Sequence, residues 1–253
     1  MTSVRLLRRL TAIVLFAVTA AAAAADPRLA GTYDAAGKTA EGTAYSGQVR
    51  IDPKGKGFRL AWVLDSGERY RGLGLRLDGI LGSAYWPDDE AFEGAGIVVY
   101  RIDGGLLEGI WMPHGGPSDL LGEEALLGPA SLDGRFDIVL GFNPGGRSQY
   151  TGHVEIERRG ETYHFHWYTP VDSYLGNGIR IGNIMVVGYA LGRAPGTVAY
   201  CVRGAELDGL WAYGTSSRLG REVLHPQSGT GARPNPAAGP ECLPTIAMNA
   251  VPQ

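Results

Sequence analysis

Four side chains able to bind a metal ion lie close together in the second half of the chain. His164 and His166 are two residues apart, which places both imidazoles on one face of a β-strand, and His153 and Glu155 lie on the preceding predicted strand. A hairpin would bring these ligands, of a kind that suits zinc, to one surface. The alternative, which we favour, is an ordinary solvated hairpin face, because no third strand supplies an enclosing ligand.

Motifs for covalent or nucleotide-dependent catalysis are not found. The chain has no Gly-x-Ser-x-Gly motif, and Cys201 follows Tyr200 within a predicted strand rather than in an activating context. The pair Gly72 and Gly74 lacks the spacing and the following helix of a nucleotide-binding loop. We therefore predict no catalytic residues, no cofactor and a function other than that of an enzyme.

The first residues indicate the compartment. Arg5, Arg8 and Arg9 precede an apolar run that ends in alanines, which is the pattern of a signal peptide cleaved after Ala25. The apolar run is short for a membrane span. We therefore expect residues 1–25 to be removed and the mature protein to be periplasmic or secreted and not membrane-spanning.

The charge balance excludes one class of partner. The full chain has 23 basic and 26 acidic residues, and removal of the three arginines of the signal peptide leaves a net charge of −6. Only Lys38, Lys54 and Lys56 are lysines. A nucleic-acid-binding surface needs a cluster of basic residues, so we predict no nucleic-acid partner.

The chain also repeats its own sequence. The segment from Tyr45 to Ile51 returns from Tyr150 to Ile156 at an offset of 105, and later blocks return at offsets of 104, 100 and 98. Offsets that change only between blocks indicate loops of different length between equivalent strands. The repeated residues include four pairs: Trp62 and Trp167, Trp111 and Trp211, Arg76 and Arg180, Glu124 and Glu222.

Apolar residues alternate with other residues along each copy, as at Phe58, Leu60 and Trp62, which is typical of half-buried β-strands. Six to eight strands per copy, with glycines opposite aromatic residues, favour an all-β fold of two tandem homologous antiparallel modules of barrel type. A sandwich or one shared sheet is the alternative. The predicted boundaries are 26–128 for copy 1, 129–225 for copy 2 and 226–253 for a Pro- and Gly-rich tail.

Residues that both copies share are expected to build the architecture. The four paired tryptophans are therefore predicted to lie in the core rather than to stack on a ligand. Each paired arginine is predicted to bridge to the paired glutamate of its own copy, Arg76 to Glu124 and Arg180 to Glu222, or to be a surface charge.

The two cysteines, Cys201 and Cys242, are predicted to form a disulfide in an exported protein. The bond would attach the Pro- and Gly-rich tail to a strand. Closing a loop of about 40 residues stabilises the fold by about 3–4 kcal/mol on the chain-entropy model.

The repeated Tyr-x-Gly, Gly-x-Gly and Leu-x-Gly-x-Trp motifs resemble those of a family of exported bacterial tandem-repeat β proteins, some of which are labelled fibronectin-binding protein. The distribution of glycines and aromatic residues is also similar, more loosely, to that of avidin- and lipocalin-like barrels. The resemblance implies a fold and no site residues. We therefore predict an exported, non-enzymatic binding module whose partner is an unknown protein or small molecule, with selective contacts on residues that the copies do not share. A surface adhesin of fibronectin-binding type and a metal-dependent hydrolytic enzyme are the alternatives.

Overall fold

The computed structural model of the protein describes residues 25–204 and 206–229. Apart from a 3₁₀ turn at Pro27–Leu29, the regular structure in these residues consists of sixteen β-strands. The first eight are β1 (Gly31–Lys38), β2 (Ala44–Lys54), β3 (Gly57–Leu64), β4 (Arg69–Leu77), β5 (Ile80–Pro87), β6 (Gly96–Asp103), β7 (Leu106–Pro113) and β8 (Gly122–Leu127). The second eight are β9 (Gly134–Phe142), β10 (His153–Arg159), β11 (Thr162–Tyr168), β12 (Ser173–Ile181), β13 (Ile184–Leu191), β14 (Gly196–Arg203), β15 (Glu206–Ala212) and β16 (Gly220–Pro226).

The strands form two closed antiparallel barrels of eight strands each. Barrel A has the order β1-β16-β15-β14-β5-β4-β3-β2, and barrel B has the order β10-β11-β12-β13-β6-β7-β8-β9. Closure leaves neither sheet with an exposed edge, which protects both from pairing with another chain. The predicted all-β class and the prediction of two barrel-like modules are confirmed, and the sandwich and the single shared sheet are excluded.

The prediction that each sequence copy closes its own sheet is wrong. Strand β5 pairs with β14 rather than with β6, and β6 pairs with β13. Barrel B is therefore one contiguous segment, Gly96–Leu191, inserted between the two parts of barrel A, Gly31–Pro87 and Gly196–Pro226. The predicted boundary near residue 128 falls in the β8–β9 connection, inside barrel B.

β5 pairs with β14, and β6 with β13, because of the two connections that cross between the barrels. β5 and β13 occupy equivalent positions in the two copies, so each offers β6 the same kind of antiparallel partner. The crossover from β5 to β6 buries Phe92 and Ala95 between the barrels, where their exposed fractions are 7% and 1%. Arg193 of the second crossover hydrogen-bonds Glu90 at 2.6 Å and lies 3.8 Å from the Phe92 ring centre. The two crossovers thus stabilise each other.

The barrels pack side by side through the outer faces of β4, β5 and β6 and of β12, β13 and β14. A single buried cluster includes Leu75, Val99, Ile179 and Val186 from both barrels. Gly82 permits the close approach at this interface, because a Cβ there would lie 2.5 Å from Cγ1 of Val186. The outward faces of these strands are therefore apolar. In the sequence, few polar residues on these strands mark the face that lies outside the barrel.

Each barrel has its own interior core, formed by residues that alternate along the strands. In barrel B these include Val98, Phe136, Phe165 and Val187, and an equivalent set fills barrel A. The predicted contact between repeated glycines and aromatic rings is confirmed at Gly109, where a Cβ would overlap Cδ1 of Tyr100. These glycines let the large rings lie flat against neighbouring strands.

Several predicted features lie wholly or mainly outside the described residues. Residues 1–24 of the predicted signal peptide, residues 230–253 of the predicted tail and Cys242 belong to this group. In the part of the chain that the structure describes, no helix is long and apolar enough to cross a membrane.

Candidate functional site

The predicted metal ligands lie on adjacent strands of barrel B. Glu155 of β10 is directly opposite His166 of β11, and His153 is opposite Tyr168. Nε2 of His166 lies 2.6 Å from Oγ of Ser173, and the His153 ring stacks on Tyr168 with centres 4.8 Å apart.

The fourth predicted ligand, His164, is separated from this group because it lies in a groove between the barrels, beside Phe92 and Tyr213. Burial lowers the pKa of His164, and Arg159 lowers it further. Within the described ranges no three His, Cys, Asp or Glu side chains form a group that would hold a metal ion. The geometry therefore gives no support to the zinc hypothesis.

The predicted pairing of arginines with glutamates is wrong in both copies. Arg76 lies near the β4–β5 hairpin and binds Asp26, whose pKa falls to about 2 chiefly through its hydrogen bond with Arg28. Arg180 donates a 2.8 Å hydrogen bond to the carbonyl oxygen of Gly182. Each arginine is at the hairpin end of its strand, whereas the paired glutamates lie deeper in the barrels, so the side chains do not meet.

Cys201 of β14 is fully buried, and it belongs to the cluster between the barrels. Its predicted partner, Cys242, lies outside the described residues. The disulfide between them stays a prediction.

The paired glutamates instead form the centres of two equivalent hydrogen-bond networks. In barrel B, Glu124 is 4% exposed and accepts hydrogen bonds from the hydroxyl of Tyr100, the hydroxyl of Tyr150 at 2.9 Å and Nε1 of Trp167 at 3.2 Å. The donors come from β6, the β9–β10 connection and β11, and the glutamate from β8. Four separate segments thus converge on one carboxyl group.

Barrel A repeats this arrangement around Glu222, which is 3% exposed. Its donors are the hydroxyl of Tyr200, the hydroxyl of Tyr45 at 3.2 Å and Nε1 of Trp62 at 3.2 Å. The equivalent settings of Trp62 and Trp167, both 6% exposed, confirm that these two tryptophans lie in the core.

Burial controls the protonation of both carboxyl groups. Desolvation raises the pKa of Glu124 and of Glu222 above the ordinary value of 4.5, and the three hydrogen bonds to each group oppose this effect. Burial also raises the pKa of Tyr100 and Tyr150 far above 10, so both phenols keep their protons and act as donors. The network is built to hold a carboxyl group away from water.

Barrel B contains a cavity of about 600 Å³ above this network. The inner part is lined by Val98, Tyr100, Glu124 and Trp167. The outer part is lined by residues of the connections at one end of the barrel, namely Pro113, Pro117, Asn143, Thr169, Val171 and Asp172. Because Val171 is 85% exposed, this end is where the cavity meets solvent.

Aromatic rings form most of the wall between the floor and the mouth of the cavity. The ring centre of Tyr189 is 5.9 Å from that of Trp167, 5.7 Å from that of Tyr174 and 6.4 Å from that of Trp111. Tyr174 and Trp111 are steeply inclined to Tyr189, at 87° and 73°. The inclined rings enclose the cavity on several sides.

Trp111 contributes a polar atom as well as a ring. Its Nε1 is buried, and no atom in the described chain accepts a hydrogen bond from it. Nε1 of Trp211, the equivalent atom in barrel A, is likewise buried without an acceptor, so this feature is shared by both barrels. The prediction that all four paired tryptophans belong only to the core is therefore incomplete, since Trp111 and Trp167 also line the cavity.

One difference between the mouths of the two barrels lies at an aligned position. Pro113 lines the cavity in barrel B, and Tyr213 occupies the equivalent position at an offset of 100. The Tyr213 ring centre lies 5.9 Å from that of Tyr85, the counterpart of Tyr189. The Tyr213 ring, which is 38% exposed, packs beside Tyr85 in barrel A, and Pro113 brings no ring to this place in barrel B.

The sequence did not predict the combination of residues that forms this cavity. Some of these residues are shared by the two copies, and others, here called private, occur in one copy alone. The repeat alignment contained the signal for its inner part, because Tyr100, Tyr150 and Glu124 all recur in the other copy. Shared residues were assigned to architecture, and selective contacts to positions that differ. In the structure, shared residues form the floor, and private ones such as Pro113 and Asp172 form the mouth.

No protein-family model, curated protein or solved structure matches this chain. Function is therefore inferred from the geometry of barrel B and from its contrast with barrel A.

Proposed function

We propose that the protein binds a small, largely apolar molecule inside barrel B and acts by binding rather than by catalysis. The observation that carries this proposal is the cavity of about 600 Å³ with the buried Glu124 network at its floor. Small-molecule sites in proteins are clefts of about 300–1,000 Å³, mostly apolar, with a few polar groups that orient the ligand.

The lining fits this description. Trp111, Trp167, Tyr174 and Tyr189 provide apolar ring surface, while Glu124 and Nε1 of Trp111 provide the polar contacts. Val171 is an exposed apolar residue at the mouth. A ligand with an apolar body gains free energy by leaving water for such a surface, at about 25 cal/mol for each Å² of apolar area.

Binding is favoured over catalysis by the side chains in the cavity. The described residues that line it include no serine, cysteine, histidine or lysine. The other acid of the lining, Asp172, is exposed at the mouth, so no second acid lies beside Glu124 at the floor to share general acid–base catalysis.

Export to the periplasm or cell exterior, inferred from the amino-terminal sequence, is part of this proposal. The adhesin and metal-enzyme alternatives rest on the sequence alone, and no contact in barrel B favours either.

The proposal is tested by titrating the purified protein with N-phenyl-1-naphthylamine, an uncharged apolar fluorophore. We expect saturable binding of one molecule per chain, with energy transfer from tryptophans at the cavity. The variant Val98→Phe fills the inner cavity and abolishes this binding. The matched variant Val198→Phe changes the equivalent buried position of barrel A and retains it.

Two results would overturn the proposal. One is a fluorophore signal that does not saturate. The other is binding lost equally in both variants although circular dichroism shows that both are folded.

A further inference from the structure

We infer that the ligand of barrel B is an organic cation of the ammonium type, held by the aromatic wall with Glu124 as its counter-ion. This inference deepens the proposed function and depends on it. Three features of the cavity support it: the sign of its ionisable groups, the arrangement of its rings and the missing positive partner of its buried carboxyl group.

The ionisable groups that line the cavity are acids and phenols. Glu124 lies at the floor and Asp172 at the mouth, and the described lining includes no arginine, lysine or histidine. The nearby connection that contains Asn143 has one basic residue, Arg147, which is exposed and is not part of the lining. A negatively charged ligand would therefore meet an acidic floor with no cation to offset it.

The rings are arranged to receive a positive charge. An ammonium group is attracted to the electron-rich faces of tryptophan and tyrosine at about 6 Å or less from the ring centre. Tyr174 and Trp111 pack edge to face against Tyr189, inclined to it by 87° and 73°, so the planes of the lining rings differ in direction. Methyl groups on a nitrogen fit such a box, because they spread the charge over an apolar surface.

The buried acids of the protein provide the third observation. Asp208 is 3% exposed and is paired with Arg221 at 2.7 Å, the usual way in which a protein neutralises a buried charge. Glu124 is buried to a similar extent, but its partners are two phenols and an indole, all neutral. A cationic ligand would supply the positive charge that the protein itself does not.

Barrel A shows that the network alone is not sufficient for this inference. Glu222 has the same three kinds of donor, and Tyr213 covers the rings above it. The network is therefore compatible with a protonated, ligand-free carboxyl group. What distinguishes Glu124 is the cavity that connects it to solvent, so Glu222 serves as the internal control.

The test compares two molecules of nearly equal shape, the cation benzyltrimethylammonium and its uncharged carbon analogue neopentylbenzene. Each is measured by displacement of N-phenyl-1-naphthylamine. We expect the cation to bind about tenfold more tightly than the analogue, because the Glu124 carboxylate attracts its charge in a cavity of lower dielectric constant than water. In Glu124→Gln this preference falls to near unity while neopentylbenzene still binds, which shows that the barrel is folded. Glu222→Gln keeps the preference.

The pH dependence supplies a second readout. The groups that face Glu124 are Tyr100 from β6, Tyr150 from the β9–β10 connection and Tyr189 from β13, and burial raises the pKa of all three, so none ionises near neutrality. Asp172 at the mouth is the other acid of the lining. Because the cation needs the ionised carboxylate, its affinity rises as the pH passes upward through the raised pKa of Glu124, and Glu124→Gln removes this rise.

Each outcome has one meaning. If neopentylbenzene binds as tightly as the cation, the cation inference fails while the proposed cavity function stands. If Glu124→Gln keeps the cation preference, the assignment of Glu124 as counter-ion fails. If neither compound nor the fluorophore binds, the proposed function fails together with the inference.

Discussion

Barrel A and barrel B are built from equivalent strands and both contain a buried glutamate network, and a cavity of about 600 Å³ adjoins the network of barrel B. Both hold a glutamate among two tyrosines and a tryptophan, and both place a tyrosine, Tyr85 or Tyr189, above that network. The mouths differ where Tyr213 packs on Tyr85 in barrel A, whereas Pro113 of barrel B has no ring to pack on Tyr189. One framework of strands thus carries different residues at its end, and these determine what lies above the network.

The comparison depends first on which strands form each barrel. Asp34 of β1 is paired with His225 of the neighbouring strand β16 in barrel A. In a barrel closed by copy 1 alone, Asp34 would instead lie beside Leu127 of β8. Paired residues on neighbouring antiparallel strands have Cα atoms about 4.5–5.5 Å apart, within the range of a disulfide. We expect Asp34→Cys with His225→Cys to cross-link almost completely and Asp34→Cys with Leu127→Cys not to cross-link.

Peptide mapping by mass spectrometry identifies the linked residues in each double variant and separates them from any bond that involves Cys201 or Cys242. Cross-linking of residue 34 to residue 127 in the monomer would show that the copies close separately.

A smaller effect is expected on stability when the two interiors are overfilled. Val98 and Val198 are equivalent and equally buried, but only Val98 borders the cavity. We expect Val198→Phe to lower the free energy of unfolding by about 1–3 kcal/mol, as is typical of overpacking, and Val98→Phe to cost less because its ring has room. Urea denaturation followed by circular dichroism measures the difference. Equal losses in the two variants would mean that barrel B is filled as densely as barrel A.

The smallest effect concerns the pH dependence of stability. Since the folded-state pKa of Glu222 is raised above 4.5, its contribution to stability is fully present below that pH and is lost as the pH rises through the folded value. We therefore expect the free energy of unfolding to decrease as the pH rises above 4.5.

Glu222→Gln should flatten the dependence of the unfolding free energy on pH between about 4.5 and 8, and Glu124→Gln should flatten it similarly because the two networks match. Denaturation at a series of pH values measures both. A wild-type slope that neither variant changes would contradict the raised pKa values.

Much of the fold was predictable from the sequence because it is encoded by local patterns. Alternation along segments such as Phe58–Trp62 identified the strands, and repeated glycines such as Gly109 identified where rings approach the backbone. The pairing of β6 with β13 was not predictable in this way. Equivalent strands carry nearly the same pattern, so only the buried crossover at Phe92 and the interface between the barrels select one pairing over the other.

The site was predictable in part. Glu124, Tyr100 and Tyr150 each recur in the other copy, but recurrence did not show that they meet, and the partner predicted for Glu124 was Arg76. The pairing was wrong because alternation shows which side chains point into the barrel. It does not show how far along the barrel axis each side chain lies. The cavity also depends on Pro113 at its mouth, where barrel A has the larger residue Tyr213. A single smaller residue of this kind forms no recognisable sequence motif.

Calorimetric titration of Pro113→Tyr with N-phenyl-1-naphthylamine tests whether barrel B binds its ligand because its mouth is open. The substitution gives barrel B the residue that covers barrel A, at a position that adjoins the cavity mouth. We expect the stoichiometry to fall from one molecule per wild-type chain to none, with the thermal midpoint of unfolding nearly unchanged. Undiminished binding to a folded Pro113→Tyr protein would contradict the claim.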